Sequence, residues 1–264
     1  MASIMLILTL LLLFGIISFL FIYLPMTLKS IFKHLVRRVP SANERRSIYL
    51  AGRLVQTPEL GIWQAYGSMA QFVERLHGVF GSIRSSFCKD TEESAFIELD
   101  QWEERSDDAE GDISSLLDQL SRQSTGGDMA VDIQSICRVV SELECVGDSG
   151  TRIAYIVKDM SRHGYSFADD MLQSLLLMTD AVEDAYHVLQ TIVRMKNANE
   201  TSAPGFYFDA EKKIHALKES LYANEMGRME GRLAHYEACS FYLEIVSELE
   251  RMGNYIVHAS QALR

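Results

Sequence analysis

Proline is scarce in this chain of 264 residues: Pro25, Pro40, Pro58 and Pro204 are the full set, and none falls inside the six helical segments described below. Nothing therefore interrupts those segments from within. No stretch alternates apolar and polar side chains with period two, which excludes a half-buried β-sheet. The four cysteines, Cys88, Cys137, Cys145 and Cys239, show no paired ligand spacing. A cysteine zinc site is excluded, and the thiols are expected to be reduced and mostly buried. Glycine-rich phosphate loops are missing too, since Gly126-Gly127 is a helix break, and the serines near His163 and His235 lack the context of a nucleophile. The chain is expected not to be an enzyme.

Charge is absent from Ala2 to Leu28, and Ile4 to Met26 is almost wholly Leu, Ile, Phe and Met. That run exceeds the roughly 20 residues a helix needs to cross a bilayer. It also lacks the basic start, short apolar core and small-residue cleavage site of a secretory signal. Residues 1–28 are thus expected to form a transmembrane helix. Lys29, Lys33, Arg37 and Arg38 follow, and no Lys or Arg precedes it, which places the C-terminal side in the cytoplasm of a single-pass inner-membrane protein. The basic connector, residues 29–48, can rest on anionic headgroups, so the lipid bilayer is the first expected partner. Those four cations leave the remainder at −11 − 4 = −15 formal charge. Nucleic acid is excluded as a partner, and cations or basic surfaces are favoured.

What the rest contains is helical periodicity. Thr57 as cap and Pro58 as first residue predict a helix from Glu59 to about Phe87. A second runs from near Thr91 to the break at Ser124-Thr-Gly-Gly127, and a third from Asp128 to Arg162, stopped by His163-Gly164. Ser166 or Asp169 can cap a fourth, reaching about Lys196. The fifth covers about Phe208 to Gly231 and the sixth Leu233 to Leu263. The expected fold is all-α: two tandem three-helix repeats, 49–163 and 164–264, packed lengthwise as an elongated six-helix bundle.

The repeats are visible directly. Val139-Val-Ser-Glu-Leu-Glu-Cys-Val-Gly-Asp148 returns 106 residues later as Ile245-Val-Ser-Glu-Leu-Glu-Arg-Met-Gly-Asn254, with six identical positions. In the first copy Glu144 and Asp148 form an i,i+4 carboxylate pair, about 40° apart on one face and flanking the apolar seam. The preceding helix offers Glu103 and Asp107 at the same spacing, with Glu110 one turn on. Where consecutive helices are neighbours, up to five carboxylates converge, and their repulsion must be relieved by protons or cations. Oxygen-rich clusters suit Mg²⁺, Mn²⁺ or iron. Solvated acids balanced by Arg105, Arg138 and Arg152 are the alternative. Shifting Glu103 and Asp107 by 108 residues gives Glu211 and His215, so the second copy of the set is Glu211, His215, Glu250 and Asn254. Two carboxylates are lost, and a weaker, different or absent site is expected there.

The duplicated Ser-Glu-Leu-Glu-x-x-Gly-Asp/Asn signature, preceded by Glu103-x-x-x-Asp107, resembles the PhoU family, and most closely the cytoplasmic PhoU-like tail of bacterial sodium/phosphate cotransporters. Tyr49-Leu-Ala-Gly-Arg-Leu-Val-Gln-Thr-Pro58 looks like the start of such tails. Leu217-Lys-Glu-Ser-Leu-Tyr-Ala-Asn-Glu225 resembles their fifth helix, and Glu250-Arg-Met-Gly-Asn-Tyr-Ile-Val-His-Ala-Ser-Gln-Ala-Leu263 their ending. The resemblance implies a role in regulating or accompanying phosphate transport, with transporter components or a second copy of the chain as partners. It also implies a metal cluster at Glu103, Asp107, Glu144 and Asp148, with His215 and Asn254 departing from the pattern in the second repeat. Cotransporters place many membrane helices before this tail, whereas here there is room for one. A split subunit, a descendant without its channel or a remnant of a longer cotransporter is therefore expected as the alternative to an anchored regulator. A metal-free helical scaffold is the third.

Overall fold

The structure, a computed structural model, describes residues 57–87, 93–123, 127–198, 207–229 and 236–263. The expected transmembrane helix and the basic connector lie outside the described residues, and no described helix is long and apolar enough to cross a membrane. Every regular element among the described residues is a helix: α1 (Pro58–Leu76), α2 (Val79–Ser86), α3 (Glu93–Gln123), α4 (Gly127–Arg162), α5 (Asp169–Asn197), α6 (Tyr207–Met229) and α7 (Tyr236–Ala262). The all-helical expectation holds, with one correction in the first rod.

That rod is not continuous. It breaks at His77-Gly78, where the Gly78 N–H bonds the Arg75 carbonyl at 3.2 Å and the Phe80 N–H bonds that of His77 at 3.3 Å, an i,i+3 tightening between α1 and α2. A Cβ on Gly78 would fall 2.5 Å from the Trp102 ring of α3, so the close approach of that indole requires glycine. Two caps also differ from expectation. Thr57 does precede α1 with extended backbone, but its side chain makes no capping bond. At α5 the cap position is Ala168, and Asp170 accepts the Met171 N–H at 2.9 Å. The end of α4 is as expected: Gly164 takes φ +77°, its N–H bonds the Ser161 carbonyl, and the Tyr165 N–H bonds that of Met160. This paired pattern satisfies two terminal carbonyls with a left-handed glycine.

The seven described helices pack as two groups, of four and three, within one compact unit. In the first, α3 and α4 pack together with α1 and α2; in the second, α6 and α7 pack with α5; across the groups α4 meets α7 and α1 meets α5. The apolar face of the repeat makes the central contact. Val139, Val140, Leu143 and Val146 on α4, and their counterparts Ile245, Val246, Leu249 and Met252 on α7, are all fully buried. Each such side chain contributes about 1.5–3 kcal/mol of transfer free energy. On the other contact between the groups the buried Tyr186 donates its hydroxyl to the Val73 carbonyl at 2.8 Å and stacks edge-on against Phe80.

Polar ties across α4 and α7 follow the same duplication. Glu142 of α4 lies 3.7 Å from His258 of α7, and Glu248 of α7 lies 3.8 Å from Arg152 of α4. The step from Glu142 to Glu248, and from Arg152 to His258, is 106 residues in each case. The two central helices therefore run antiparallel, related by an approximate two-fold axis. The first glutamate of each Ser-Glu-Leu-Glu copy serves this contact, and the second faces elsewhere.

Candidate metal site

Gly147 is what brings α3 onto α4. A Cβ there would lie 2.5 Å from Ser106 Oγ and 3.0 Å from Ser106 Cβ, so the two backbones approach at a distance only glycine permits. Ser106 is itself buried and returns its hydroxyl to the Trp102 carbonyl at 2.8 Å. Asp107 follows Ser106 in sequence, and Glu144 and Asp148 flank Gly147 on either side. The approach thus carries three acids together: one carboxylate oxygen from each of Asp107, Glu144 and Asp148 lies within 4.8 Å of the others, all half-buried.

The electrostatics agree. Burial first, then the charges of Asp148, Glu110 and Asp107, push the Glu144 carboxyl above its ordinary range. Burial and the charges of Glu144, Asp148 and Glu142 likewise raise the neighbouring Cys145 thiol, against the opposing charge of Arg152. Glu110 therefore acts on the trio from one turn further along α3, as the spacing predicts. Glu103 stands outside the trio. Its charge falls on Tyr155, whose hydroxyl is raised first by Asp100, then by burial and Glu103. The arginines proposed as balancing charges divide. Arg105 lies over the Trp102 ring at 4.9 Å, Arg138 is 3.8 Å from Glu142, and Arg152 stands 3.6 Å from Asp148.

The second repeat brings the same positions together with different chemistry. A Cβ on Gly253 would meet Ile214 Cδ1 at 2.8 Å, and Gly253 and Ile214 are the 106- and 108-residue counterparts of Gly147 and Ser106. Beside Ile214, His215 Nδ1 lies 2.9 Å from Glu250 Oε1, while Lys218 Nζ lies 2.7 Å from Glu250 Oε2. Burial alone would raise the Glu250 carboxyl. The hydrogen bonds from Lys218 and His215, and their charges, outweigh it and hold the group below its ordinary range. The same contact raises the Lys218 ammonium. Glu211 is exposed on α6 and Asn254 half-buried on α7.

Lys218 is the residue that sequence reasoning missed. It lies 108 residues after Glu110, so the shift that identified Glu211 and His215 would have found it had Glu110 been carried along. An ammonium stands where the first repeat has a fourth acid. Chemically, the first repeat offers a hard, anionic oxygen set suited to Mg²⁺, Mn²⁺ or iron, and the second supplies its own cation.

The comparison with protein-family models and that with curated proteins gave no match for this chain. Among solved structures the chain is similar to the crystal structure of the phosphate transport system regulatory protein PhoU from Streptococcus pneumoniae, at 15% identity and a TM-score of 0.63. The similarity covers 78% of this chain and 95% of that one. The fold of the helical part is PhoU-like.

Proposed function

We propose that this chain is a membrane-anchored PhoU-like protein that regulates or accompanies phosphate transport, acts without catalysis, and holds a divalent metal or iron in its first repeat. The observation that carries the reading is the acid trio of Asp107, Glu144 and Asp148 at the glycine-mediated α3–α4 contact of a PhoU-like fold. Glu110 adds charge from the next turn, and Glu103 lies toward Tyr155. Anchoring rests on the uncharged run from Ala2 to Leu28 and the basic residues after it. Bound metal would relieve the repulsion among the acids and stiffen the α3–α4 contact, giving a surface through which a transporter component could be held.

Deleting the gene in its own cells should uncouple phosphate uptake from external phosphate, and the intact gene should restore the coupling. Unchanged uptake and unchanged response to phosphate would overturn the regulatory reading. Elemental analysis of the full chain, purified without chelator, should find metal that Glu144→Gln with Asp148→Asn removes. The resemblance of Leu217–Glu225 and Glu250–Leu263 to cotransporter tails favours a second reading, a subunit or remnant of a sodium-dependent phosphate cotransporter. In that case deletion abolishes sodium-driven phosphate uptake rather than changing its regulation.

A further inference from the structure

A second group of ligand-type side chains lies where α1, α2 and α5 meet, and it uses none of the acids described above. Glu183 and His187 are one turn apart on α5 and so share a face. His77 reaches them from the break between α1 and α2. One ring nitrogen of each histidine and one oxygen of Glu183 lie within 4.8 Å of one another. His77 Nε2 is 2.9 Å from Glu183 Oε1, and the two imidazole centroids are 4.9 Å apart. Phe80 and Tyr186 wall the His77 ring at 5.9 and 6.0 Å.

Three details make this trio a built site. First, His77 Nε2 is buried and makes no hydrogen bond, with Glu183 Oε1 beside it at 2.9 Å. Second, His187 Nδ1 lies 3.0 Å from Oε1 of the buried Gln190. A proton on Nδ1 donated to that oxygen would leave Nε2 its lone pair, the usual outer-shell arrangement of a metal-binding histidine. Third, the other Glu183 oxygen accepts a hydrogen bond from Arg84, which also bonds Asp180 Oδ1 at 2.7 Å. Arg84 fixes the carboxylate, and Asp180 cancels the guanidinium charge, so the trio still faces a cation with one net negative charge.

We propose that His77, Glu183 and His187 form a transition-metal site, with zinc as the fitting ion, that ties the α1–α2 break to α5 across the two repeats. Two neutral imidazoles and one carboxylate select zinc and similar borderline ions over Mg²⁺ or Ca²⁺. Ligands about 2.0–2.1 Å from a tetrahedral zinc stand roughly 3.3 Å apart, so the separations here close with side-chain adjustments alone. The fourth position is left for water or a partner's atom.

The test is titration of the full chain, stripped of metal, with Zn²⁺, and with Co²⁺ as a visible probe. One site with the intense visible bands of low-coordinate Co²⁺, competed by Zn²⁺, is expected. His187→Ala, on an exposed position that leaves the core intact, should abolish those bands. Gln190→Ala should weaken Zn²⁺ binding about tenfold. Glu144→Gln with Asp148→Asn should leave the bands in place, which separates this site from the carboxylate set of the first repeat. Absence of such bands in the unaltered chain, or Zn²⁺ affinity equal in His187→Ala and the unaltered chain, would overturn the proposal.

Discussion

Glu144 and Glu250 occupy the same place in the repeat and meet opposite surroundings. Around Glu144, burial and three further acids raise the carboxyl, so the folded chain holds that proton more firmly than the unfolded chain. Stability from this group is then fullest in acid and falls as pH rises through the raised folded value. Glu144→Gln should accordingly stabilise the metal-free chain at neutral pH by about 0.5–1 kcal/mol, the scale of partly exposed charges. The gain, read as a rise in Tm of ~2 °C, should vanish below the carboxylate range. Around Glu250 the sign reverses. Its lowered carboxyl contributes stability above the unfolded value, lost as pH falls through the folded one. Lys218→Met should cost about 1–2 kcal/mol at neutral pH and progressively less in acid, checked by urea unfolding across pH. The loss of acids from the second copy was legible from His215 and Asn254 alone. The replacement of repulsion by an internal ion pair was not, because it depends on a residue one turn beyond the matched motif.

At the scale of elements, the six rods followed from hydrophobic periodicity, and the end of α4 followed from His163-Gly164. The break at His77-Gly78 did not, because the apolar spacing continues straight through it. What stands at the break is a tertiary contact that spacing does not reveal: the indole of Trp102, from another helix, occupies the space a Cβ on Gly78 would need. Caps failed for a related reason, since Thr57 has the residue type and the backbone angles of a cap without the side-chain bond. The glycines of the repeat carry more than sequence could assign to them. Gly147→Ala should destabilise the chain by about 2 kcal/mol, because Ser106 Cβ is tied to the α3 backbone and cannot swing aside. Gly253→Ala should cost less, since the nearest atom there is the end of the Ile214 side chain. Thermal unfolding of the two variants side by side decides the order. The first should also disperse the acid trio, which hangs on the same approach of α3 to α4.

At the scale of the molecule, the duplicated tetrapeptide divides its labour. The first glutamate of each copy reaches across the approximate two-fold axis, to His258 in one direction and Arg152 in the other, and the second faces the site of its own repeat. Sequence showed both glutamates and both copies, but which glutamate faces which helix depends on how α4 and α7 cross. Glu248 is buried, with Arg251 bonding one oxygen at 2.8 Å and Arg152 facing the other. Arg152→Ala with Arg251→Ala removes both cations and should cost about 2 kcal/mol in urea unfolding, less than for a fully buried pair because both arginines are half-exposed.

The ammonium of Lys218 gives this near-symmetric fold a permanent internal reference. One half carries a full counter-charge against its glutamate, whereas in the other three acids share a single flanking cation, Arg152, 3.6 Å from Asp148 and drawn also toward Glu248. Empty, the two halves are electrically unlike; filled, they would become alike. Were the proposed ion to bind there, its arrival and loss would change how alike the two halves are electrically.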